Sequence, residues 1–144
     1  MKIIFESSIF LHQSVGGISK YFCKINKIFK KRNIKSIIYS PLSINNNLKD
    51  NKNYNINYFK FKKIPRLCTK LFYLINNFAT FFFIKFYKPD ILHFSYYNNS
   101  LLKFINIPYV LTVYDLISEN KNYKDKRFKK KQLINNASHI ICIS

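Results

Sequence analysis

The residues of this chain that could do chemistry follow directly on short apolar runs. Glu6 and Ser7 come after KIIF (Lys2–Phe5), and the loop beyond them carries the only two glycines, Gly16 and Gly17. His93 lies in DILHF (90–94), and Ser95, Tyr96 and Tyr97 come next. Tyr114, Asp115 and Glu119 follow YVLTV (109–113), and Ser144 follows HIICI (139–143). Hydroxyls, carboxylates and an imidazole gathered in one place could hold a hydroxylated, charged ligand. The glycine pair adds a specific possibility. It opens a helix, so free backbone N–H groups and the positive end of a helix dipole coincide there, a seat for phosphate. In so glycine-poor a chain the pair is expected at positive φ or in close contact with a neighbour. A plain turn before a helix is the other reading. His93 in an apolar strand reads as a satisfied core histidine or as a site residue, Tyr96-Tyr97 as core caps or ligand contacts, and Asp115 as a cap or a ligand group.

These groups converge only if the runs are parallel strands of one sheet, because ligands then bind beyond the strands' carboxyl ends. Continuous rather than alternating hydrophobicity fits strands covered on both faces. Lys35–Tyr39 and 56–61 read as further strands. Residues 18–32 read as an amphipathic helix with Ile18, Tyr21, Phe22, Ile25, Ile28 and Phe29 inward and Asn33 as its stop. Residues 124–137 read as a helix with Phe128, Leu133, Ile134 and Ala137 inward. Residues 45–55 read as a polar, Asn-rich loop without function. Strands alternating with helices predict a doubly wound α/β domain.

Residues 67–87 are very apolar, with a narrow polar stripe of Lys70, Asn76, Asn77, Thr80 and Lys88. The central asparagines argue against a spanning helix. A helix buried on the sheet and a helix lying on a membrane surface both fit.

The cysteines, Cys23, Cys68 and Cys142, are odd in number and widely spaced, so reduced thiols are expected, with Cys23 and Cys142 in the core. His12 and His139 have no partners at metal-ligand spacing, so no metal site is expected. There is no Walker loop or nucleophile elbow. Met1-Lys2 leads straight into a strand followed by Glu6, so no signal peptide is expected and a cytoplasmic location is. The net charge of +19 is carried almost wholly by dispersed lysines, with arginine only at Arg32, Arg66 and Arg127. The lysine bias of the whole composition weakens charge as a functional signal; the distribution argues against nucleic acid and leaves attraction to an anionic membrane surface as one alternative.

Four segments carry a resemblance: GGISKYF (16–22), KPDILHFSYY (88–97), PYVLTVYDLISE (108–119) and ASHIICIS (137–144). In order, spacing and placement at strand ends they resemble the N-terminal half of a family 4 glycosyltransferase. The resemblance implies a Rossmann-like, doubly wound parallel sheet, the acceptor-side half of a GT-B enzyme. It also implies that residues 1–144 form a single, C-terminally incomplete domain, without the donor-binding domain and inactive alone. The implied reaction transfers a sugar, with retention and without a metal or other cofactor, from a nucleotide-sugar to a surface-glycan or lipid-linked acceptor. Gly16 and Gly17 would approach the donor diphosphate, and the catalytic residue, His93, would sit at the cleft floor near the transferred sugar. Tyr96, Tyr97, Asp115 and Glu119 would shape the acceptor side. Many relatives have His where Tyr114 stands. The rival expectation is a non-catalytic, basic module that binds a membrane surface, peripherally on its inner face, or a partner.

Overall fold

A computed structural model describes residues 1–48, 55–56, 59–114 and 124–143. β1 (Lys2–Phe5) is the centre of a six-stranded sheet. It pairs in parallel with β2 (Lys35–Tyr39) on one side and β6 (Ile91–Phe94) on the other. β4 (Asn55–Ile56) extends the sheet beyond β2, and β7 (Tyr109–Val113) and β8 (His139–Cys142) extend it beyond β6, all in parallel. The order β4-β2-β1-β6-β7-β8 reverses direction between β1 and β6. The architecture is α/β with a parallel sheet flanked by helices, compatible with a Rossmann-like fold.

Alternate residues of the central strands feed two cores. Ile3, Phe5 and Ile38 pack with Phe22 and Cys23 of α2 (Gly17–Lys31). Ile4, Tyr39, Leu92, Phe94 and Leu111 face the opposite way. There they meet Ile84 of α3 (Thr69–Tyr87) and Leu133 of α4 (Lys124–Asn136). Helices thus cover both faces, and the central strands need the continuous hydrophobicity seen in their sequences. α2 ends as expected: Asn33 takes φ 58°, and the Ile34 N–H donates to Phe29 O at 2.9 Å. Its apolar stripe faces the sheet, except that Ile28 is exposed.

Four expectations need correction. The single strand expected over 56–61 is two short ones, β4 and β5 (Phe59–Lys60), the latter paired with β3 (Leu42–Ser43) in a separate two-stranded sheet. Pro41 lies between β2 and β3 and has no N–H to continue the ladder, so pairing restarts beyond it. Phe128 is exposed, whereas Lys130 is buried beside Leu133. Three residues separate Lys130 from Leu133 and put both on one helical face, while Phe128 falls on another. Cys142 is exposed, because β8 is an edge strand with all four residues open to solvent. A short helix, α1 (Ser8–His12), interrupts the expected loop. Its first amides find side-chain acceptors: Ser8 N–H donates to Glu6 Oε1 at 2.8 Å and Ile9 N–H to Ser95 Oγ at 3.1 Å.

Candidate functional site

The carboxyl ends of β1 and β6 meet where the strand order reverses, and a polar cluster closes that point. Glu6 is fully buried there. Its N–H donates to His93 O at 2.9 Å, which continues the ladder by one residue. Its carboxylate accepts the N–H and hydroxyl of Ser8 on Oε1, and the Ser95 hydroxyl on Oε2 at 3.1 Å. Burial pushes the Glu6 carboxyl up to about 7, although the serine donors pull the other way. Asn98 donates to Ser8 Oγ at 2.9 Å and to Asn77 Oδ1 of α3 at 3.1 Å. The Tyr73 hydroxyl of α3 reaches Ser8 O at 3.5 Å. Burial, and secondarily the Glu6 charge, raise the Tyr73 phenol well above its ordinary range.

His93 is the third residue of β6, two before Ser95, and is nearly fully buried. Phe5 and Phe22 hold its ring at centroid distances of 5.2 and 5.1 Å, and Nε2 is 2.8 Å from Thr112 Oγ1 on β7. Burial pulls the imidazole down to about 4, so it is neutral at physiological pH. Nδ1 has no hydrogen bond among the described residues. A neutral ring so held can donate or accept one hydrogen bond but brings no positive charge.

Gly16 and Gly17 open α2 at the same edge. Neither takes positive φ, which corrects that part of the expectation. Gly16 is extended at φ −177°, a conformation open to any residue. Close contact holds at Gly16 alone: an added Cβ would lie 2.0 Å from Gln13 Oε1, the end of a flexible side chain. Around Gly17 the space is open. The N–H groups of Gly17, Ile18 and Ser19 have no acceptor among the described residues, and Lys20 N–H is the first to bond back, to Gly16 O at 3.1 Å. The loop after β3 braces this turn. Asn45 donates to Gln13 O at 2.6 Å, Asn46 N–H to Ser14 O at 2.8 Å, and Asn47 to Ser19 Oγ at 2.9 Å. These asparagines, set aside as a loop without function, hold the glycine turn in place.

Tyr96 stacks on His12 at 4.8 Å and lies 5.3 Å from the Tyr97 ring. The Tyr97 hydroxyl accepts the Tyr114 N–H at 3.3 Å, and Lys130 Nζ stands 5.2 Å from the Tyr97 ring centre. Both tyrosines are half-buried, with one side in the core. The carboxyl edge therefore assembles Glu6, Ser8, Ser95, Tyr96, Tyr97 and Asn98. His93 meets α2 through Phe22, not through the glycine turn. Asp115, Glu119 and Ser144 lie outside the described residues. Sequence reasoning placed Glu6 at the edge without a role, and missed Ser8, Asn98 and Lys130. Only the polar character of Asn98 and its place after β6 could have flagged it.

A cavity of about 360 Å³ lies elsewhere, between α4 and a 3-10 turn at Leu102–Phe104, lined by Asn99, Ile105, Tyr109, Gln132 and Ser138 among others. Tyr109 begins β7 and Ser138 precedes β8, so it opens toward the amino ends of the strands and holds none of the expected site residues. Among the described residues no group of His, Cys, Asp or Glu could hold a metal ion. Comparison with family models, curated proteins and solved structures found no match.

Proposed function

We propose that this chain is the acceptor-side domain of a GT-B, family 4-like glycosyltransferase. It would move a sugar from a nucleotide-sugar donor to a glycan or lipid-linked acceptor, with a separate donor-binding half completing the site. The observation that carries the reading is the unpaired set of amides at Gly17, Ile18 and Ser19, in a turn braced by Asn45–Asn47. Backbone donors fixed before the ligand arrives stabilise charge on a leaving diphosphate at little reorganisation cost. In this reading His93 forms the floor, with Nδ1 offered to a sugar hydroxyl, and Tyr96 and Tyr97 supply flat walls for the acceptor. Asp115 and Glu119 extend the acceptor side. The domain alone holds half of a diphosphate site and should not turn over.

Titration with pyrophosphate, followed by amide NMR, tests the seat. With only two glycines, their resonances are easy to follow. Pyrophosphate should shift Gly17 and Ile18 at constant ionic strength, while chloride should not. Gly17→Pro deletes one donor at a helix position that tolerates proline, and should abolish the shift without unfolding α2. Uniform shifts across the lysine-bearing helices would overturn the diphosphate reading. Robust sugar transfer by the isolated chain would overturn the division of the site between this domain and a separate donor-binding half.

A further inference from the structure

α3 is folded inside out. Its buried residues are Asn76, Thr80 and Ile84. Asn76 is pinned to the β3 backbone, with Leu42 N–H donating to Oδ1 at 3.0 Å and Nδ2 donating to Leu42 O at 2.9 Å. The opposite face exposes Leu71, Leu74, Ile75, Phe78, Phe82 and Phe86, and Leu67 in the preceding turn is 97% exposed. At 100° per residue the α3 members fall within an arc of about 120°, centred opposite Thr80. The result is one apolar stripe along the helix, broken within the arc only by Lys85 near its carboxyl end. Lys62, Lys63, Arg66 and Lys70 lie at one end and Lys85 and Lys88 at the other, with no acidic residue from 59 to 88.

We propose that this stripe lies in the interface of an anionic lipid bilayer, with the helix flat and the lysines on lipid phosphates. Charge decides the occupant. A second copy would bring another +19 chain against the same lysine-flanked face, whereas an anionic surface neutralises it. The packing decides the orientation. Residues Arg66–Tyr87 are long and apolar enough to cross a bilayer. Crossing would require Asn76 to leave Leu42, and Phe83 to leave Tyr39, on which it stacks at 4.1 Å. Buried inner contacts and an exposed apolar outer face fit a helix half-sunk at the surface. Tyr73 and Asn77 tie the first half of α3 to Ser8 and Asn98, so a flat helix holds the carboxyl edge of the sheet beside the membrane. The inference rests on α3 alone and is independent of the glycosyl-transfer reading.

The chain contains no tryptophan, so Leu71→Trp, Phe78→Trp and Phe86→Trp each give a single reporter at an exposed position. With phosphatidylcholine vesicles containing phosphatidylglycerol at low salt, all three should shift to the blue. All three should be quenched best by bromines near the headgroups, and high salt should release the protein. Lys70→Gln with Lys85→Gln should weaken binding on the order of tenfold, with an unchanged thermal melt. No shift with anionic vesicles would overturn the proposal. So would Phe78→Trp reaching mid-bilayer quenchers while the other two stay shallow, which means a spanning helix. A blue shift that grows with protein concentration without lipid would give the stripe to a second copy and also overturn it.

Discussion

Replacing Glu6 with glutamine should expose a pH dependence that the native protein conceals. In the folded chain the Glu6 carboxyl rises from 4.5 to about 7, and the His93 imidazole falls from 6.5 to about 4, both by burial. A tenfold change in proton affinity is worth about 1.4 kcal/mol, so each group is worth about 3 kcal/mol between its extremes. Their signs oppose. Glu6 binds its proton more tightly when folded, so its contribution is intact below pH 4.5 and is lost as pH rises through about 7. His93 binds its proton less tightly when folded, so its contribution is intact above pH 6.5 and is lost as pH falls through about 4. The combined cost stays near about 3 kcal/mol from pH 4 to pH 8, because one cost grows as the other fades. With six acidic residues and three histidines in the whole chain, few other groups compete. The E6Q side chain would keep the acceptor for the Ser8 N–H and remove the titration. Urea unfolding from pH 4 to pH 8 should give a nearly level native curve and an E6Q curve rising by about 3 kcal/mol between pH 4 and 7. Parallel native and E6Q curves would show that Glu6 is ionised in the folded protein and refute the burial argument. A level E6Q curve would refute the burial argument for His93.

Gly17→Ala should stabilise the chain by about 0.5–1 kcal/mol in denaturant unfolding, because the backbone is helical there and the space for a Cβ is open. Leu133→Ala should cost about 2–5 kcal/mol, while Phe128→Ala should change stability by less than about 0.5 kcal/mol, a contrast that checks which face of α4 is inward. Asn76→Ala leaves the Leu42 N–H without a partner, although the Ser40 hydroxyl still donates to the Leu42 C=O, and should cost about 1–3 kcal/mol, with faster amide exchange at Leu42.

Much of the fold was legible because its signal is local. KIIF, DILHF and YVLTV announce central strands by being apolar on both faces. Residues 18–32 announce a helix by their period, and Asn33 announces its end. α1 left no such mark. It has five residues and no period, and its second amide is satisfied by Ser95, 86 residues away in sequence. The candidate site divides similarly. That Glu6, Ser95 and the Tyr96-Tyr97 pair gather at one edge followed from their places after strands, whereas His93 meets α2 through Phe22 and not through the glycine turn. That the glycine turn is braced by Asn45–Asn47 did not follow, because those contacts join separate loops.

Composition and spacing alone determined the alternation of strands and helices, the lysine-borne charge, and the presence of a long apolar helix at α3. Which face of that helix turns inward was a tertiary decision. Hydrophobicity alone would bury Phe78 and Phe82 and expose Asn76. Asn76 faces inward because β3, broken from β2 at Pro41, offers it at Leu42, 34 residues away, an N–H with no other acceptor among the described residues and a C=O it shares with the Ser40 hydroxyl. HIICI reads like YVLTV, yet β8 is exposed and β7 is largely buried, because strand order leaves one at the edge and the other inside. The proton affinities of Glu6 and His93 belong to the same class. Residue type sets where each begins, and only burial, a property of the assembled sheet, drives them toward neutrality from opposite sides.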